Sequence, residues 1–158
     1  MVVPLGSIVR DNITGLEGIA IAFVLHLHDC EWILLQPTGL KDGLPHTARF
    51  FDTQRIDILK ATDREPREPI TKPGNRVRDK ITGFEGIVTT WTDELYGEPT
   101  VGITATILHE GRPIRDSAFP ESRLEILEDS KAPVSESNTA MRGSIAEGPP
   151  RLPASIRG

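Results

Sequence analysis

His26, His28 and Cys30 stand at i, i+2 and i+4 of one apolar run, so on a strand their side chains share a face. Two imidazoles and a thiol on one face are donor types that zinc or copper takes. Asp29 and His46 are the candidates for a fourth ligand. Against this, a related stretch 68 residues further on has Glu94, Tyr96 and Glu98 at the matching places. The fold does not need the set, so the plainer reading is a polar, solvent-facing strand end, with no metal and no cofactor. The phrase Thr-Gly-x-Glu-Gly, at Thr14–Gly18 and again at Thr82–Gly86, is the second candidate, because two glycines beside a carboxylate can shape a ligand loop. It lacks the Lys-Ser/Thr that closes a phosphate loop. Gly15, Gly18, Gly83 and Gly86 therefore read as structural turn residues, where glycine can take positive φ at no steric cost, and positive φ is expected at Gly15 and Gly83 or at Gly18 and Gly86. Glu17 and Glu85 are then expected to pair with Arg10 and Arg78 or with backbone N–H groups. No serine or carboxylate pair has a recognisable nucleophile setting, and no catalytic residue is expected.

The recurrence of that phrase is part of a longer repeat. Gly6–Ile19 reads GSIVRDNITGLEGI and Gly74–Ile87 reads GNRVRDKITGFEGI. The offset of 68 runs on without a gap through Leu40 and Leu108, Gly43 and Gly111, Phe51 and Phe119, and Arg55 and Arg123. Roughly 19 of about 54 aligned positions are identical. One small unit is used twice. The expected organisation is a first repeat over 1–59, a linker over 60–73, a second repeat over 74–127 and a C-terminal arm over 128–158. Units of this size lie near the lower limit for an independent core, so packing between the copies or against a partner is expected.

Within copy one, alternation predicts a strand at Ser7–Arg10, a Gly-rich loop at Asp11–Gly18, and a long strand at Ile19–His28. The odd residues Ile19, Ile21, Phe23, Leu25 and Leu27 are all apolar and read as one buried face. Trp32–Gln36 and Thr47–Phe51 are further strands, Asp52–Arg55 a single helical turn, and Ile56–Leu59 a short closing strand. Pro37–Pro45 connects them around Lys41-Asp42-Gly43, and Met1–Leu5 is an apolar lead-in able to extend the first strand. The linker, with three prolines among charged residues, reads as a semi-rigid spacer. The tail, rich in Ser, Pro, Gly and Ala, cannot build a core of its own. Its Arg142, Ile145, Arg151, Leu152, Ile156 and Arg157 are expected to be held by another chain.

The most informative feature is a difference between the copies. Opposite the odd-numbered face, copy one has Ala20, Ala22, Val24, Trp32 and Leu34, where copy two has Val88, Thr90, Thr92, Thr100 and Gly102. The inward Ile33 and Leu35 stay apolar as Val101 and Ile103. Copy one thus carries a second apolar face, with a Trp of the kind interfaces use as an anchor. Ala22, Val24, Trp32 and Leu34 are its partner-binding candidates, unless another part of the chain covers them.

The strand order and the Gly-x-x-Val-x-Asp opening, Gly6, Val9, Asp11 and then Gly18-Ile19, resemble SH3-like barrels of the KOW and Tudor type. The resemblance implies an all-β fold: two tandem SH3-like five-stranded barrels plus an extended irregular C-terminal arm. The Val-x-Asp-x-x-Thr-Gly-Phe-Glu-Gly-Ile phrase with its short Arg-Leu-Glu-Ile-Leu ending is similar to small structural proteins of tailed bacteriophages. That implies a capsid decoration (cement) or neck protein, bound to the major capsid or another virion protein or to itself. Such a protein is found in the virion, and in the host cytoplasm during assembly. The other class open to this fold is a binding module, such as a small-molecule sponge or a peptide or RNA reader, with Trp91 and Tyr96 as its aromatic candidates. The net charge of −5 argues against direct nucleic-acid binding by bulk electrostatics. No long apolar run suggests a membrane segment, and Cys30 alone permits no intrachain disulfide.

Overall fold

The computed structural model describes residues 3–129. They are all β apart from two single 3₁₀ turns, and every strand pair is antiparallel. Copy one consists of β1 (Ile8–Asp11), β2 (Glu17–His26), β3 (Trp32–Gln36), a small hairpin of β4 (Leu40–Lys41) and β5 (Leu44–Pro45), β6 (Arg49–Asp52), a 3₁₀ turn at Thr53–Arg55, and β7 (Ile56–Lys60). Copy two repeats it: β8 (Arg76–Asp79), β9 (Glu85–Glu94), β10 (Thr100–Thr104), β11 (Leu108–His109), β12 (Arg112–Pro113), β13 (Ser117–Pro120), a turn at Glu121–Arg123, and β14 (Leu124–Glu128). The small hairpins turn on Asp42-Gly43 and Glu110-Gly111, all four at positive φ, the left-handed geometry that matches strand twist in a tight hairpin. The Asp52 side chain caps the first 3₁₀ turn by accepting from Gln54 N at 2.8 Å.

The two copies are joined in one open ten-stranded sheet. Each long strand serves two partners along one edge. Glu17–Ile19 of β2 pairs with β1, and Ala22–His26 pairs with β9 of the other copy. That second pairing is centred on Val24 opposite Thr92, which hold the same place in the repeat. An approximate dyad therefore passes through this pair, the self-complementary geometry of a C₂ interface within one chain. Its flanking hydrogen bonds are mates under the same dyad: Leu27 N to Thr89 O and Leu95 N to Ile21 O, both 2.9 Å. The five-strand units β7-β1-β2-β3-β6 and β14-β8-β9-β10-β13 are open: among the described residues β7 does not pair with β6, nor β14 with β13.

The buried face differs from simple alternation. A register shift between Ala20 and Ala22 leaves Ile21 as a bulge, and β9 has the same bulge at Thr89. The core side of β2 is thus Gly18 and Ala20 before the bulge and Phe23 and Leu25 after it, while Ile19 and Ile21 are only half-buried. Ala20, expected on the outer face, is a core residue. Ile33, Leu35, Val101 and Ile103 are buried as expected, and one apolar cluster runs through both copies. Each fully buried aliphatic side chain in it contributes about 1.5–3 kcal/mol. Trp91, a candidate for an exposed groove, is 1 % exposed and belongs to this core. The lead-in does not extend β1, which starts at Ile8; Val3 and Leu5 pack into the cluster.

The linker is a bound ribbon, not a bare spacer. Thr62 Oγ1 donates to Leu5 O at 2.9 Å in copy one. Arg64 then grips both oxygens of Asp93, at 3.2 and 3.3 Å, in copy two. Arg67 donates to Gly97 O, and the N–H groups of Ile70 and Thr71 donate to the Glu121 carboxylate. Polar side chains and free backbone donors find partners where an apolar core is not available.

Candidate functional site

The bulge at Ile21 turns Ala22, Val24 and His26 of β2 away from the core. In register beside them lie Leu34 and Trp32 of β3, opposite Ala22 and Val24, and then Phe50 of β6, opposite Leu34. Ala22 and Val24 form a buried floor that is not part of the core cluster. Trp32 is half-buried, its ring edge-on to His26 at 4.5 Å and tilted against Phe50 at 5.7 Å. Phe50 stands 51 % exposed. The same face continues over the dyad onto copy two, but there Thr100, Gly102 and Ala118 replace Trp32, Leu34 and Phe50. One half of a continuous sheet face is aromatic and the other is small and polar. Phe50 is the member that sequence reasoning missed, although its pairing with Ala118 in the repeat carried the signal.

His26 Nε2 is buried and has no hydrogen-bond partner among the described residues. Burial pushes its pKa down, with Asp29 opposing, so the imidazole favours its neutral form. The proposed common face of His26, His28 and Cys30 does not form, because β2 ends at His26 and the other two lie in the turn beyond it. Cys30 donates to Asp29 Oδ1 at 3.3 Å, and burial pushes its thiol up to about 11, away from the thiolate a metal binds. Among the described residues no three His, Cys, Asp or Glu side chains gather into a metal-sized group.

The Thr-Gly-x-Glu-Gly loops are organised by a residue outside the phrase. Asp11, its side chain fully buried, accepts from the N–H of Thr14 at 2.9 Å and from the Thr14 hydroxyl. Arg55 then clamps it from Nε and Nη2, both at 2.8 Å. Asp79, Thr82 and Arg123 repeat the arrangement at 2.9 and 2.7 Å. Each guanidinium also lies over a ring, Arg55 on Phe51 at 5.1 Å and Arg123 on Phe119 at 5.0 Å. Gly15 and Gly83 sit at φ +82° and +81° and close the turn onto Asp11 O and Asp79 O. Of the two glycine pairs, Gly15 and Gly83 are thus the left-handed ones; Gly18 and Gly86 are not in that region. Glu17 pairs with Arg10 at 3.6 Å, and Glu85 with both Arg76 and Arg78.

The Arg55 and Arg123 bonds hold both aspartates well below the usual carboxylate range, against the opposing effect of burial. A depressed folded-state pKa contributes stability above the unfolded value near 3.8 and loses it as pH falls through the folded one. Urea unfolding from pH 7 to pH 2.5 should therefore show stability falling below about pH 5, with an added slope of roughly two protons. The Asp11→Asn/Asp79→Asn variant should start less stable and lose that added slope. An unchanged slope would remove these aspartates as the cause.

Arg142, Ile145, Arg151, Leu152, Ile156 and Arg157, and the arm that carries them, lie outside the described residues. Comparison with protein-family models, with curated proteins and with solved structures found no match. No helix among the described residues is long and apolar enough to cross a membrane.

Proposed function

We propose that this chain is a non-enzymatic structural protein that docks onto a larger protein assembly through the outer sheet face of its first copy. Each copy is read as an SH3-like five-stranded barrel, two in tandem, with the segment after the second as an extended arm onto the same assembly. The observation that carries the reading is the half-exposed Phe50 over Trp32, on a face whose counterpart in copy two is Ala118 and Thr100. Since copy two folds without them, the aromatic pair is surplus to the fold and has the composition of an interface anchor. The likeness of the repeat phrase to tailed-bacteriophage proteins makes the assembly a virion. The partner is then the major capsid protein or another virion protein, and the role is decoration or neck.

Co-sedimentation with purified shells from the native source tests this. Trp32→Ala with Phe50→Ala should weaken binding by about 30-fold, the scale of an aromatic anchor worth 2 kcal/mol. The far-UV circular dichroism should be unchanged. Deleting 132–158 should weaken binding as well while leaving the melting transition nearly in place. Full-strength binding by the double variant, or unfolding of it with no binding defect, would sink the docking face.

A further inference from the structure

Copy one has a second surface feature, separate from the aromatic face and not dependent on its reading. The β4–β5 hairpin stands off the Thr14–Gly18 loop and leaves an open groove of about 470 Å³. Leu16, Leu44 and Pro45 form its apolar walls, and Lys41, His46 and Arg49 its polar ones. The groove is braced from below, where Gln36 Nε2 donates to Pro37 O at 3.0 Å and to His46 O at 2.8 Å. Pro37 and His46 are thus both tied to Gln36 of β3.

Arg10, Arg55, Arg64, Arg76, Arg78 and Arg123 each hold a carboxylate. The Lys41 and Arg49 side chains, like those of Lys60, Lys72, Arg112 and Arg115, make no hydrogen bond or ion pair among the described residues, although the chain has a net charge of −5. Asp42, at the hairpin tip, is the one acidic group at the rim. Copy two places its charges differently: His109 stands for Lys41, Arg112 for Leu44, Ile114 for His46, Arg115 for Thr47 and Ser117 for Arg49. The cations and walls are therefore not demanded by the fold.

We propose that this groove binds an extended acidic peptide segment of a partner protein. Its carboxylates would lie on Lys41 and Arg49, and an aliphatic side chain between them on Leu16 and Leu44. Charge complementarity selects an anion, and guanidinium forks suit carboxylates in two-point contact. The aliphatic walls select a chain that carries an apolar side chain between its charges. An open trough leaves a compact small molecule largely in water, whereas such ligands usually have most of their surface enclosed. No Trp, Tyr or Phe ring lines the trough for nucleobases to stack on.

The test is an ¹⁵N heteronuclear titration of the full chain with acetyl-Glu-Glu-Leu-Glu-Glu-amide. Parallel titrations use the Gln-Gln-Leu-Gln-Gln analogue and inorganic phosphate alone. Saturable shifts are expected at the amides of Leu16 and of the segment from Lys41 to Arg49. They should weaken by about tenfold or more in Lys41→Glu/Arg49→Glu and at about 0.5 M salt. Both positions are exposed, so the variant's spectrum should otherwise overlay that of the parent. Three results would overturn the proposal: no saturable shift at these amides, an undiminished response in the double variant, or an equal response to the glutamine peptide or phosphate. None of them bears on shell binding through Trp32 and Phe50, so the two readings fail separately.

Discussion

Valine at Gly18 or Gly86 is expected to unfold the copy that carries it. A Cβ built on Gly18 would lie 2.3 Å from Gln36 O and 2.7 Å from Leu35 Cδ2. On Gly86 it would lie 2.3 Å from Thr104 O and 2.6 Å from Ile103 Cγ2. The blocking atoms are backbone carbonyls on the neighbouring strands, in a ladder where Ile19 faces Gln36 and Ile87 faces Thr104. Relief requires β3 to leave β2, or β10 to leave β9. The cost should be roughly 3 kcal/mol or more, at or above the upper end of ordinary overpacking. Alanine introduces the same Cβ and should carry most of that cost. Gly15→Ala, at positive φ with open space around it, should cost only about 1 kcal/mol from backbone strain. Urea unfolding of the three variants orders them, and Gly18→Ala as stable as the parent would refute the close-approach reading.

That distinction shows where the sequence was legible and where it was not. Two glycines kept in both copies marked the loop, and their spacing led to a single reason for both. Only the structure separates Gly15, which needs a left-handed backbone, from Gly18, which needs an absent side chain. The longer strands were readable because alternation is a local property of the backbone, whereas the two-residue strands β4 and β5 fell within a stretch read as a connection. The bulge at Ile21 was not, because a run of apolar residues on both sides of β2 hides a one-residue change of face. Its consequence is large: it puts Ala20 in the core and sends Ala22 and Val24 to the outer face. The joining of the copies was foreseen only as a need for packing. Its register depends on Val24 meeting Thr92, a long-range match that leaves no mark in either segment. Phe50 went unread for a different reason. The aromatic face was traced along β2 and β3, and a third strand had to be placed beside them before Phe50 could be added. Asp11 and Arg55 were visible as matches between the copies, yet 44 residues of chain separate the two ends of their bond.

Replacing Glu121 by alanine is expected to be the most damaging change of a single polar side chain. Its Oε2 accepts from Ile70 N and Thr71 N at 2.9 Å, and from Thr71 Oγ1 and Trp91 Nε1 at 3.0 Å. Thr71 and Trp91 are almost wholly buried, so water cannot take over the lost bonds. A buried donor left without an acceptor costs about 1–3 kcal/mol, so the whole loss should be roughly 3 kcal/mol or more. Among the described residues no cation pairs with this carboxylate; its charge is balanced by N–H and O–H dipoles alone. Glu121→Gln keeps one acceptor oxygen and should cost less than alanine. Trp91→Phe removes one donor while keeping most of the ring's packing. The double variant Glu121→Gln/Trp91→Phe should therefore be more stable than the sum of the two single losses, since the indole no longer competes for a weaker acceptor. Because the same oxygen ties down Ile70 and Thr71, the alanine variant should also free the end of the linker. Limited proteolysis should then cut between Lys60 and Pro73 well before the sheet melts. Strictly additive losses in the double variant, or a linker as resistant as the parent's, would show that Glu121 holds neither Trp91 nor the ribbon.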